Sequence, residues 1–151
     1  MRLLLMTMLA LTLALTAACR DPEDPETQVR AAIDAMAAAA EARDVGAFME
    51  GVSANYGDGE QRTKSDVFVM AQMYLGPGQT VHVTHRIVEV TVDEDTARAR
   101  VIAGVSDGPI VAPGTRAEVL EFDVRLERDG TRWRVNRAAW DRSSVGALLG
   151  G

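Results

Sequence analysis

From about residue 79 to residue 141 the chain repeats with a period of two rather than 3.6, and this alternation constrains its fold more than any other feature. Ala97, Ala99, Val101, Ala103 and Val105 share one parity, as do Leu120, Phe122, Val124 and Leu126. Alternate side chains of a strand point to opposite faces, so each run marks a face to be buried. The pattern predicts strands at about Thr80 to Val92, Thr96 to Ser106, Arg116 to Arg128 and Thr131 to Asp141. Asp93-Glu94-Asp95 and Asp129-Gly130 supply tight turns, and Asp107 to Gly114 a longer connection, which makes the sheet an antiparallel meander. Its other face carries Arg98, Arg100, Glu121, Asp123, Arg125, Glu127, Arg132 and Arg134, a mixture suited to cross-strand ion pairs in water. Val81 and Val83 lie in one phase but Val88, Val90 and Val92 in the other, and Trp133 and Val135 are followed by Ala138 and Trp140. Each slip predicts a β-bulge, near His85-Arg86-Ile87 and near Asn136-Arg137, and bulges bend a sheet until it can enclose a pocket.

The preceding third of the chain is helical. Asp24 can cap a first helix with Pro25 at its first position, placing Val29, Ile33, Met36 and Ala40 on one face up to about Arg43. Asp44 opens a second, short helix carrying Val45, Phe48, Met49 and Val52, which ends before the glycine loop Asn55-Tyr56-Gly57-Asp58-Gly59. Thr63 with Asp66 forms a capping-box variant, and Val67, Met70, Ala71 and Tyr74 continue as an apolar stripe to Gly76-Pro77-Gly78, with Met70 and Tyr74 expected in the core. A chain of 151 residues arranged in this way holds one domain, here assigned to residues 27–142 with a C-terminal tail, 143–151, expected to close a cavity or lie against a partner. With 22 acidic against 16 basic residues and a net charge of −6, it lacks the concentrated basic surface that nucleic-acid binding needs.

Three helices followed by a curved antiparallel sheet, the Arg43-Asp44-Val45-Gly46-Ala47-Phe48 opening of the second helix, and the terminal Gly130-Thr131-Arg132-Trp133-Arg134-Val135 hairpin resemble the nuclear transport factor 2-like superfamily over about Val29 to Asp141. The resemblance implies an α+β, cystatin-like roll: N-terminal helices packed on a strongly curved antiparallel β-sheet, with a conical cavity between them. Members range from isomerases, dehydratases and polyketide cyclases to binding proteins without chemistry, so the fold does not decide the function. Many members pair through the outer face of the sheet, and the charges on that face here speak against such a dimer.

The N-terminus supplies an address. Arg2 is a positive n-region, Leu3 to Ala14 an apolar h-region, and Ala17-Ala18 the small residues read by a signal peptidase. The apolar run is shorter than the roughly 20 residues of a membrane span and is interrupted by Thr7, Thr12 and Thr16. Leu15-Thr16-Ala17-Ala18-Cys19 resembles a bacterial lipobox, which implies that residues 1–18 are a signal peptide and that Cys19, the only cysteine, becomes the lipid-modified first residue bearing palmitate-like acyl chains. Residues 19–26 then form the lipidated cysteine and an acidic, proline-rich tether. The expected location is the bacterial envelope, facing the periplasm, with Arg20 after the cysteine favouring the outer membrane.

Candidates for chemistry are few. Gly104-Val105-Ser106-Asp107-Gly108 matches a nucleophile-elbow pattern, but Pro109 and Pro113 follow where a helix is needed, and both histidines precede it. His82 and His85 are three apart, which on a regular strand sends them to opposite faces, and no third ligand matches their spacing; no metal and no cofactor is expected. His85 lies in phase with Val81 and Val83, which aims it at the cavity as a candidate general acid or base. Geometry offers Tyr56, His85, Arg137, Trp140 and Asp141 as cavity-lining candidates, with no residue assigned as catalytic. The expected function is a membrane-anchored, noncatalytic binding module for a small apolar ligand or an envelope protein; the alternative is a small cofactor-independent isomerase, dehydratase or hydrolase using a cavity His or Asp as general base.

Overall fold

A computed structural model describes residues 23–78, 81–108, 110 and 112–151. The expectations for the signal peptide, for Cys19 and for the start of the tether lie outside these residues.

Helix α1 (Pro25–Glu41) begins where the Asp24 carboxylate accepts hydrogen bonds from the Glu26 and Thr27 amides at 3.0 and 3.2 Å, with Pro25 at its first position. Helix α2 (Val45–Glu50) is capped in the same way by Asp44, which accepts from the Ala47 amide at 2.9 Å. Helix α3 (Lys64–Leu75) starts at Thr63, whose amide and hydroxyl both donate to the Asp66 carboxylate, at 2.7 and 2.8 Å. Strands β1 (His82–Asp93), β2 (Thr96–Ser106), β3 (Ala117–Asp129) and β4 (Arg132–Arg142) follow in an antiparallel sheet of order β1-β2-β3-β4. Helices packed on this curved sheet make the α+β roll expected from the sequence.

The helices bury the inner face of the sheet. Val29 and Ile33 of α1, Met49 of α2, Val52 in the segment after α2, and Ala71 of α3 form one core with Ala97, Ala99, Val101, Val124, Leu126, Trp133 and Val135. Leu126, Val29 and Val52 have almost no exposed surface, and each side chain of that kind contributes about 1.5–3 kcal/mol through burial. Ala97 and Ala99 lie buried beneath this layer, so the small side chains of β2 serve close packing. The outer edge of β4 is covered by the segment after α2: Ser53 and Gly57 amides donate to the carbonyls of Val135 and Asn136 at 2.9 and 3.0 Å, and the Val135 amide donates to Gly51 at 2.8 Å.

Both bulges exist. On β4 the extra residue is Asn136, since Arg125 faces Arg137 while Leu126 faces Val135. On β1 it is Val88, between Ile87 and Glu89, slightly later than the sequence suggests. That shift leaves Val83, His85 and Ile87 on the inner face and turns Val88 outward. Val88 there joins a second core of Ile102, Val119, Ile110 and Leu148.

The C-terminal tail accounts for this second core. It forms helix α4 (Val145–Leu149), which lies on the face of the sheet away from α1–α3 rather than over a cavity. Arg86 donates to the Ala147 carbonyl at 2.5 Å, and Gly104 lets the helix come close: a Cβ there would sit 2.8 Å from both Leu148 Cδ2 and Ile110 Cδ1. The outer face is therefore apolar and covered at one end, and charged at the other.

Candidate functional site

The loop between α2 and α3 folds onto the inner face of β4 through one carboxylate. Asp58 accepts hydrogen bonds from the amides of Glu60 and Arg62, at 2.9 and 3.0 Å, from Arg62 Nε at 2.7 Å and from the Tyr56 hydroxyl at 3.1 Å. Its side chain is 1% exposed. Burial pushes the Asp58 carboxyl up, but the Arg62 guanidinium and the other three donors outweigh it and hold the group below the ordinary carboxylate range. Burial, reinforced by the charge of Asp58, pushes the Tyr56 hydroxyl up to about 12. Tyr56 thus stays protonated and Asp58 ionised at neutral pH, and neither is poised to exchange a proton.

Arg62 extends this cluster to the sheet. Its guanidinium carbon lies 4.2 Å from the centre of the Trp140 ring, and Trp140 meets Phe122 at 5.9 Å between ring centres. The result is a cationic and aromatic wall formed by β3, β4 and the loop. Glu127 ties the preceding segment down in a similar manner. It accepts from the Ser53 hydroxyl and from the side-chain amides of Asn136 (3.0 Å) and Asn55 (3.1 Å), and these bonds, led by that of Ser53, outweigh burial and lower its pKa.

His85 sits on the inner face opposite Ala103, but across the domain from Trp140. Its Nε2 lies 2.7 Å from Oδ1 of Asp34 on α1, with the histidine side chain 25% and the carboxylate 59% exposed. Arg137 and Asp141 stand on the outer face, opposite Arg125 and Glu121, because the bulge at Asn136 resets the phase so that Ala138 and Trp140 point inward. The structure therefore brings Tyr56 and Trp140 together, places His85 separately, and roots Arg137 and Asp141 on the other side of the sheet, although the Arg137 guanidinium reaches back to the loop, 3.7 Å from where a Cβ would stand at Gly59. Sequence reasoning missed Asp58 and Arg62. Their signal was an Asp and an Arg four residues apart in a glycine-bounded loop, the spacing of a local ion pair. Ser106 is buried and donates to the Gly108 carbonyl at 2.7 Å, as a turn residue does, and His82 is exposed. Among the described residues no group of three or more His, Cys, Asp and Glu could hold a metal ion, and no helix is long and apolar enough to cross a membrane.

Helix α3 carries the largest departure from a closed core. Ala71 is buried and Val67 and Leu75 pack against the core, yet Phe68, Val69, Met73 and Tyr74 are 42 to 63% exposed. Tyr74, expected inside, stands outside, and Met70 is only partly covered. Four large apolar side chains thus stand exposed on one twelve-residue helix, spread around the faces that flank its buried row and interleaved with Ser65, Asp66 and Gln72, and exposed apolar side chains gathered on one element are a surface that soluble domains keep for binding.

Mutation of His85 to Ala is expected to lower stability by no more than about 1 kcal/mol, since its partner is largely in water. Urea unfolding checks this, and a loss above about 2 kcal/mol would identify a structural histidine instead.

No protein-family model and no curated protein matches the chain. Solved structures do match it. A ketosteroid isomerase-like protein from Erwinia carotovora atroseptica is 17% identical with a TM-score of 0.60, covering 82% of this chain and 99% of its own. A nuclear transport factor 2-like protein of unknown function from Pseudomonas putida is 19% identical, also with a TM-score of 0.60, over 82% of this chain and 90% of its own. A candidate dehydratase of the nuclear transport factor 2-like family from Streptomyces avermitilis is 14% identical with a TM-score of 0.64, over 82% of this chain and 100% of its own. At these identities the likeness establishes the nuclear transport factor 2-like fold and leaves activity open.

Proposed function

We propose that this nuclear transport factor 2-like domain is a noncatalytic binding module, carried on the bacterial envelope by a lipid at Cys19, facing the periplasm and held at the outer membrane. Its occupant is apolar, either a small molecule or a segment of an envelope protein. The exposed apolar surface of α3 is the observation that carries this reading. The state of the acid–base groups agrees with it: Asp58 is saturated with donors and Tyr56 is held as a donor.

The signal-like N-terminus supports the address. One acyl chain alone holds a protein only marginally, whereas the several chains that such a cysteine carries make the attachment lasting.

A photo-crosslinking residue at position 73 tests the surface directly in living cells. A discrete adduct is expected there and none at position 89, an exposed site on the outer face. Adducts at neither position, or equally at both, would remove α3 as the binding surface.

A second reading rests on the His85–Asp34 pair. A carboxylate at one ring nitrogen orients a histidine for proton transfer, as in isomerases and dehydratases of cofactor-independent type. Under the binding reading His85→Gln leaves the adduct at position 73 intact; under the enzyme reading the same variant accumulates an unconverted ligand on the protein.

A further inference from the structure

We propose that Arg98, Arg125 and Arg137, aligned across β2, β3 and β4 on the face opposite the helices, form a binding site for a small phosphate-bearing anion. The register pairs Arg98 with Arg125 and Arg125 with Arg137. Directly opposed residues of antiparallel strands lie about 4.5–5.5 Å apart at their Cα atoms, and like charges so placed destabilise a sheet unless an anion joins them.

The neighbouring arginines of the sheet are matched. Arg100 lies 3.8 Å from Glu89 and 3.5 Å from Glu121, Arg134 lies 2.8 Å from Asp129, and Arg128 lies 3.1 Å from Asp95. Among the described residues Arg125 and Arg137 have no carboxylate within 4.0 Å, and Arg98 has only Asp123 at 3.6 Å. Over Arg98 and Arg125 lies an open depression of about 570 Å³, lined also by Thr91, Asp93, Thr96 and Asn136; Arg137 stands outside that lining, next to Arg125 in the register. Planar guanidinium forks match phosphate oxygens two at a time, which a row of lysines would not do. Asp123 and Glu127 flank Arg125 along its own strand, so the positive surface is too short for an extended polyanion and suits a single headgroup.

Soluble phosphate esters and phospholipid headgroups share this chemistry. The position makes either accessible. Arg98 is two residues from the start of β2, at the end of the sheet where Arg128 reaches Asp95 at 3.1 Å and Gln28 of α1 at 3.4 Å. Five residues, Arg20 to Asp24, separate Cys19 from α1, so the chain spans about 20 Å at most and an anchor at Cys19 would keep this end near the headgroup layer. Only the lipid source rests on the anchored reading; the site does not.

The test follows the arginine side-chain Nε signals of the full chain, in an uncharged alkyl maltoside and at constant ionic strength. Inorganic phosphate is titrated in one arm and short-chain phosphatidylglycerol in the other. Saturating shifts at residues 98, 125 and 137 with phosphate support the site with a soluble ligand, and shifts with phosphatidylglycerol alone support it with a lipid headgroup. Arg125→Gln is expected to weaken binding at least tenfold and Arg100→Gln to leave it unchanged. Absence of saturation in both arms, equal response at Arg100, or undiminished binding by Arg125→Gln would overturn the proposal. An unlipidated Cys19 would leave the phosphate arm standing, so the two readings fail separately.

Discussion

Replacing Asp58 by Ala is expected to cost about 3 kcal/mol of stability, a large loss for a single polar substitution. The side chain is almost without exposed surface and serves four donors at once, so its removal leaves the Arg62 guanidinium, the Tyr56 hydroxyl and two amides without their acceptor. The loop would detach from β4, and with it the stacking of Arg62 on Trp140. Tyr56→Phe removes only one donor and is expected to cost about 1 kcal/mol. The sign of the pH dependence follows from the depressed pKa of Asp58. The carboxylate stabilises the fold fully above its unfolded value of about 3.9, and that contribution is lost as pH falls through the lower folded value. Chemical unfolding of the wild-type chain between pH 7 and pH 2 should therefore show a loss below about pH 4 that is shallower in Asp58→Asn. Equal acid sensitivity in the two proteins would mean that Asp58 is not the anchor of the loop.

Replacing Cys19 by Ser is expected to abolish lipid labelling, an all-or-none effect. Without the thiol no acyl chains are attached, and the chain either reaches the soluble fraction or remains as the uncleaved precursor. Fractionation combined with labelling by a fatty acid checks both outcomes. Unchanged retention with no lipid label would defeat the anchor.

The sheet was legible because burial of one face enforces a period of two, and a one-residue error would turn every apolar side chain outward. The bulge at Asn136 was legible for the same reason: Val135 and Ala138 are both apolar and three apart, and only an extra residue reconciles them. The bulge on β1 was placed early because Val88 is apolar and was counted with Val90 and Val92, whereas it faces the second core beneath α4. That core escaped notice because Ile102, Val119 and Leu148 are isolated in sequence and meet only in space. Helix α3 was misread at Tyr74 for a different reason. Its residues are apolar nearly all round, so periodicity does not distinguish the buried row of Val67, Ala71 and Leu75 from the exposed one of Phe68, Val69, Met73 and Tyr74. The candidate site was least legible. A hub such as Asp58 depends on where a loop lands, and no pattern in the loop encodes the neighbouring Trp140.

The exposed row of α3 and the saturated carboxylate describe one division of labour. Asp58, Tyr56 and Arg62 are spent on fixing the loop, and α3 is left with exposed apolar side chains. Native mass spectrometry of the full chain, extracted from membranes in a mild detergent, tests this most directly. The account predicts a discrete mass beyond the lipid-modified protein, from a small apolar ligand or a bound protein, that is absent when Phe68 and Met73 are both changed to Asp. A bare mass in the unaltered protein, or an added mass that persists in the double variant, would contradict it.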